Sequence, residues 1–213
     1  HALQVGITYV DTAPQYGLGR GEHLMGDMVR EASPRPIISS KVGRLLKPVD
    51  PARQDKGNWV DPLPFNQHYD YSYDGILRSY EDSLQRLGLD KVDILYVHDI
   101  GTMTHGVEGN APLWAQLAGG GYKALRELRE GGAISAIGLG VNEWEICMDA
   151  FALGDWDVFL LAGRYTLLEQ TALQPFMDTC LKRKASVVVG GPFNSGILVG
   201  GSTFNYARAP EAI

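Results

Sequence analysis

Two cysteines in 213 residues, Cys147 and Cys180, leave no disulfide framework to read from this sequence. They lie far apart in apolar helical contexts, so both are expected to be buried reduced thiols, which points to a cytoplasmic chain. Positive charge is also short: 19 Lys and Arg stand against 25 Asp and Glu, a net charge of -6. The one basic cluster is Lys182, Arg183 and Lys184. A phosphate backbone demands a broader positive face, so nucleic acid is excluded as the natural partner. No apolar run approaches the roughly 20 residues needed to cross a bilayer, and no membrane association is expected. An initiator methionine is missing as well. The sequence opens on His1 inside HALQVG, which reads as the end of a helix, so further chain is expected before His1 and after Ile213.

What is present is enough for a sizeable core: 45% hydrophobic residues, 21% charged and 26 glycines place the chain in the globular class, as one domain over residues 1–213. Strand-like and helix-like runs alternate throughout. ITYVD precedes a helix near 21–32, PIISSKV one near 74–87, and VDILYVH one near 119–130. ISAIGLGV then precedes a helix near 143–153, VFLLAGR one near 171–184, and SVVVGG follows. VDILYV and VFLLA are apolar on both faces, as parallel strands covered by helices must be.

Two architectures meet this alternation, an open doubly wound sheet and a closed (β/α)8 barrel. The open dinucleotide-binding sheet calls for GxGxxG after its first strand, and Gly17, Gly19 and Gly21 in TAPQYGLGRGEH do not match. The barrel is therefore expected, with about six of its eight strands in the sequence. Residues 44–72 carry four prolines and the aromatics Trp59, Phe65 and Tyr69 without helical or strand period, and read as an ordered lid loop. GTMTHGVEGNAP, after His98, reads as a second loop.

Four polar residues end, or closely follow, three successive strands: Asp11 and Tyr16 in VDTAPQYG, Lys41 in IISSKVGR, and His98 in DILYVHDI. Barrel enzymes place their active sites at that end. Free tyrosine, with a pKa of about 10, is a poor base at neutral pH, and a neighbouring ammonium favours its phenolate. Asp11 can anchor Lys41, and His98 can hydrogen-bond a substrate oxygen or relay the proton. Tyr16 would then be the general acid for reducing a carbonyl and the general base for oxidising an alcohol. Hydride must come from a cofactor, because no side chain supplies one. The set requires no metal ion.

DTAPQYG, SSKVGR and LYVHD resemble the catalytic tetrad motifs of the aldo-keto reductase superfamily, and RSYEDSLQRLGLDKVDILYVHD, ALRELREGGAISAIGLGVN and GGPFNSGIL follow its order along the whole chain. The resemblance implies a (β/α)8 barrel, a nicotinamide cofactor (NAD or NADP), and catalytic Asp11, Tyr16, Lys41 and His98. It implies cofactor contacts at Asn142, Arg164, Gly190, Gly191, Phe193 and Ser195. The usual Ser-Asn pair is Val141-Asn142 here, the usual glutamine is Ala162, and the stacking tyrosine is Gly190. These departures are similar to a branch that oxidises aldoses at the anomeric carbon, or pyridoxal. They imply hydride transfer from a cyclic hemiacetal to give a lactone, with a 6-deoxy or threo aldose favoured over pyridoxal. Trp59, whose indole face can pack on a sugar or a flat heterocycle, and His68 are the expected substrate contacts, with Asn66, Arg164 and Asn194 as further hydrogen-bonding partners for sugar hydroxyls. General reduction of aldehydes and ketones, and a non-catalytic cofactor-binding subunit, are the alternatives.

Overall fold

Strands that are buried on both faces cannot show a period of two, and their burial in the computed structural model is correspondingly continuous. Ile38 through Val42 are all buried, as are Leu95 through His98 and Ile137 through Val141. The structure describes residues 1–211, in two compact units: His1–His98 with Ala111–Ile137, and Asp99–Asn110 with the chain from Gly138 onward.

In the first unit β1 (Tyr9–Asp11), α1 (Arg20–Arg30) and β2 (Ile37–Val42) precede a hairpin of β3 (Arg44–Pro48) and β4 (Phe65–Tyr69). Then come α2 (Tyr73–Leu87) and β5 (Ile94–His98). β1 and β5 both pair with β2 in parallel, Asp11 opposite Ser39 and Lys41 opposite Tyr96. α2 is set by its sequence. The Ser72 side chain accepts from Gly75 N at its start, and Gly88, at φ 62°, closes it in a conformation that glycine adopts without strain. Its inward stripe, Ile76, Tyr80 and Leu87, is buried, and the helix packs on α1 and β2.

The stretch read as an aperiodic loop is in part an antiparallel hairpin, with Arg44 opposite Tyr69 and Pro48 opposite Phe65. Its strands are separated by a connection far longer than the two to five residues of an ordinary hairpin, so no turn signal joins them in the sequence. The loop expected after His98 is also corrected. All of it but Gly101 lies within α3 (Thr102–Gln116), helical in two pieces broken at Gly106. The start is held from a distance: Glu143 accepts from Met103 N at 2.9 Å and from the Thr102 hydroxyl at 3.1 Å.

α4 (Tyr122–Glu130) packs on α2. The second unit contains most of β6 (Ala136–Val141), then α5 (Glu145–Ala150), β7 (Val158–Ala162), α6 (Asp178–Arg183) and β8 (Ser186–Gly190), with β7 parallel to both β6 and β8. A small hairpin, β9 (Thr203–Phe204) and β10 (Ala207–Arg208), follows. The core of the second unit is aromatic: Phe159 meets Phe151 and Phe176 edge-on, with centroids 5.1 and 5.4 Å apart. Cys147 and Cys180 are buried and unbridged. Among the described residues no helix is long and apolar enough to cross a membrane.

Candidate active site

Asp11 is the last residue of β1, Lys41 is next to last in β2, and His98 is last in β5, so three adjacent strand ends present their side chains together. Tyr16 enters from the turn after β1, where its N–H bonds Ala13 O at 3.1 Å and its carbonyl accepts from Gly21 N at 2.8 Å. Lys41 Nζ donates to Asp11 Oδ2 at 2.5 Å and to Thr12 O at 2.9 Å. It also lies 4.7 Å from the centre of the Tyr16 ring. The Tyr16 ring stands edge-on to His98, centroids 6.0 Å apart at 88°, and the Trp59 ring lies tilted to it at 5.8 Å.

Burial works against the Lys41 charge, but attraction to Asp11 and Tyr16 outweighs it and raises the lysine above its ordinary pKa. Lys41 is therefore an ammonium throughout the neutral range. His98 is driven the other way: burial, then the charges of Arg44 and Lys41, hold it well below 6.5. It meets neutral pH as an uncharged imidazole, suited to hydrogen-bond an oxygen rather than to store a proton.

Arg44 was not foreseen. It is buried, donates to Gln67 Oε1 at 3.0 Å, and sits 5.3 Å from the Tyr69 ring centre. Tyr69 stacks at 6.4 Å on Tyr71, whose phenol donates to the His98 carbonyl at 2.7 Å. The hairpin is thereby tied to the strand end that bears the histidine. The VGR after Lys41 carried this signal, since a charge directly after a fully buried strand needs buried partners. His68 is exposed, opposite Leu45, on the other face of the hairpin from Arg44 and Tyr69, and is not brought to the tetrad. Asn66 accepts from Asp55 N, so its oxygen serves the loop.

The residues implied as cofactor contacts gather in the second unit. Asn142, directly after β6, donates through Nδ2 to Ala162 O and to the Tyr206 phenol, each at 3.2 Å. Arg164 Nε donates to Asn142 O at 2.7 Å, and its Nη1 lies 3.6 Å from Glu169. Gly190 ends β8 opposite Ala162, and a Cβ there would press on Ala162 Cβ at 3.2 Å. Gly191 and Ser195 have φ of 57° and 61°. The Ser195 hydroxyl accepts from Tyr206 N at 2.9 Å. Phe193 is exposed and lines a cavity of about 410 Å³ with Tyr165, Leu167, Pro192 and Leu198. Asn194 is buried and bonded to Thr166 and to Gly163 O, so its amide is committed to the loop.

With this geometry, the comparisons with known proteins are specific. Pyridoxal 4-dehydrogenase of Microbacterium luteolum is 48% identical over 98% of this chain, and D-threo-aldose 1-dehydrogenase of a Pseudomonas species is 34% identical over all of it. The chain spans 65% of the length of each. An aldo-keto reductase from Bacillus halodurans, solved in its holo form, superposes with a TM-score of 0.70 over the whole chain and 59% of its own length, at 22% identity. The fold class is the (β/α)8 barrel, with six parallel strands present here. The aldo/keto reductase family pattern matches residues 1–211, and the chain belongs to the aldo/keto reductase family.

Proposed function

We propose that this protein is an NAD(P)-dependent oxidoreductase that oxidises a cyclic hemiacetal to a lactone, and that its substrate is a flat, pyridoxal-like hemiacetal. The observation that carries this reading is the Trp59 ring 5.8 Å from Tyr16, an aromatic wall beside the proton-transfer group. A flat heterocycle stacks on an indole with favourable geometry. Of the amides that sugar hydroxyls would need, Asn194 is bonded at both ends, to Thr166 and Gly163, and the Asn66 oxygen is taken by Asp55 N. The 48% identical relative, named for pyridoxal, agrees. An aldose is the second reading, favoured by the 34% identical relative.

Tyr16, as phenolate, takes the proton of the hemiacetal hydroxyl. His98, uncharged, hydrogen-bonds the same oxygen, and Lys41 stabilises the phenolate. A bound nicotinamide dinucleotide supplies the hydride acceptor. The donors at Asn142, Arg164 and Ser195 fit such a group. Arg164 is a mostly buried guanidinium, and the Ser195 hydroxyl, which accepts from Tyr206 N, keeps its own proton to give. Asn142 Nδ2 reaches a carboxamide only if the exposed Tyr206 gives way.

The test is nicotinamide reduction with pyridoxal, L-fucose, D-arabinose and L-galactose in parallel, using NAD and NADP, with the product identified by mass spectrometry. Pyridoxal is expected to give its lactone fastest, and Tyr16→Phe to lose 10²- to 10⁴-fold, roughly what a general base contributes. Activity confined to reduction of open-chain aldehydes would overturn the hemiacetal reading.

A further inference from the structure

Strand register puts more on the reactive face than the tetrad. Side chains alternate along a strand, and Asp11 opposes Ser39 while Lys41 opposes Tyr96. The face that bears Asp11, Lys41 and His98 therefore also bears, two residues earlier on each strand, Tyr9, Ser39 and Tyr96. These three are joined. Ser39 Oγ lies 2.6 Å from Asp11 Oδ1, Tyr9 OH 2.8 Å from Ser39 Oγ, and Tyr96 OH 3.2 Å from Tyr9 OH. Ser39 and Tyr96 have no solvent exposure.

The proton inventory fixes the direction of the chain. An ionised carboxylate only accepts, so Ser39 spends its single proton on Asp11, its contact with Val10 O being much longer at 3.5 Å. Ser39 must then accept from Tyr9, and Tyr9 from Tyr96. Burial raises both phenols above their ordinary range, so both stay protonated donors where the protein works. Asp11 is thus divided: Oδ1 belongs to this relay and Oδ2 to Lys41.

We propose that Ser39, backed by Tyr9 and Tyr96, is a positioning residue that holds the Asp11 carboxylate so that Lys41 presents its ammonium to Tyr16. The inference rests on the reading of Tyr16 as the proton-transfer group. Without the Ser39 hydroxyl, Oδ1 loses its donor and the carboxylate draws more fully on Lys41, leaving less positive charge for the phenolate.

The experiment compares wild type with Ser39→Ala, Ser39→Thr and Tyr9→Phe by two measurements. One is the pH profile of kcat for oxidation. The other is tyrosinate absorbance titrated against the matching Tyr16→Phe background, which needs no turnover. Ser39→Ala is expected to move both midpoints up by about half to one unit, a loss of roughly 3- to 10-fold at a pH below the midpoint. Ser39→Thr, which keeps the hydroxyl, restores them, and Tyr9→Phe gives a smaller shift in the same direction. Unmoved midpoints in folded Ser39→Ala overturn the proposal, as does failure of folded Ser39→Thr to restore them. If Ser39→Ala does not fold, Tyr9→Phe decides by the same criterion. If wild type oxidises none of the hemiacetals, the proposed function falls, while the absorbance titration still judges the positioning role.

Discussion

His98 shows how one side chain couples chemistry to stability. Folded, it is buried beside Arg44 and Lys41 and resists protonation. The unfolded chain binds a proton there near the ordinary value of 6.5. Between that value and the lower folded one, the unfolded state holds more protons, so stability rises with pH and is lost as the solution is acidified below about 6.5. The slope from this residue approaches about 1.4 kcal/mol per pH unit. The melting temperature of wild type should fall from pH 7 to pH 5 more steeply than that of His98→Asn, each followed by circular dichroism. Parallel slopes would show that the imidazole does titrate in the folded protein. At this scale the sequence was most readable. Asp11, Tyr16, Lys41 and His98 stand in motifs whose chemistry needs those residue types, whereas Ser39 and Tyr9 gain meaning only through strand register.

Among the elements, α1 and α2 pack directly against each other across a glycine. A Cβ on Gly26 would run into the Leu87 carbonyl, the same oxygen that Arg30 Nη1 reaches at 2.5 Å. Gly26→Ala should therefore destabilise the protein even though alanine is the better helix former. Overpacking costs roughly 1–3 kcal/mol, against about 1 kcal/mol gained in propensity. Urea unfolding should show a lower midpoint with an unchanged slope, and a midpoint raised by the substitution would mean that the helices part freely. The strands and α2 could be read in advance because burial pattern and caps are local. The β3–β4 hairpin and α3 could not. One joins strands across a long connection, and the other begins on a carboxylate some forty residues away.

At the scale of the whole molecule, both thiols are sealed in. Burial lifts Cys147 well above its ordinary pKa and pushes Cys180 up to about 11, and both are almost fully shielded from solvent. Neither is a ready thiolate at neutral pH. An aromatic disulfide reagent should label the native protein only as fast as it opens, and both cysteines at once in denaturant. Immediate labelling of either would contradict the packing of α5 and α6. The hairpin, by contrast, is gripped at its root and open at its tip. Arg44, Tyr69 and Tyr71 bind the root to the histidine strand, while residues 56–61, Trp59 among them, face solvent. Change at the tip is cheap in stability, because its residues face solvent, although Trp59 reaches back to Tyr16. Under the proposed function, exchanging the tip as a cassette would rewrite what is recognised beside Tyr16, while the Lys41–Asp11 pair at the strand ends below it stays as it is.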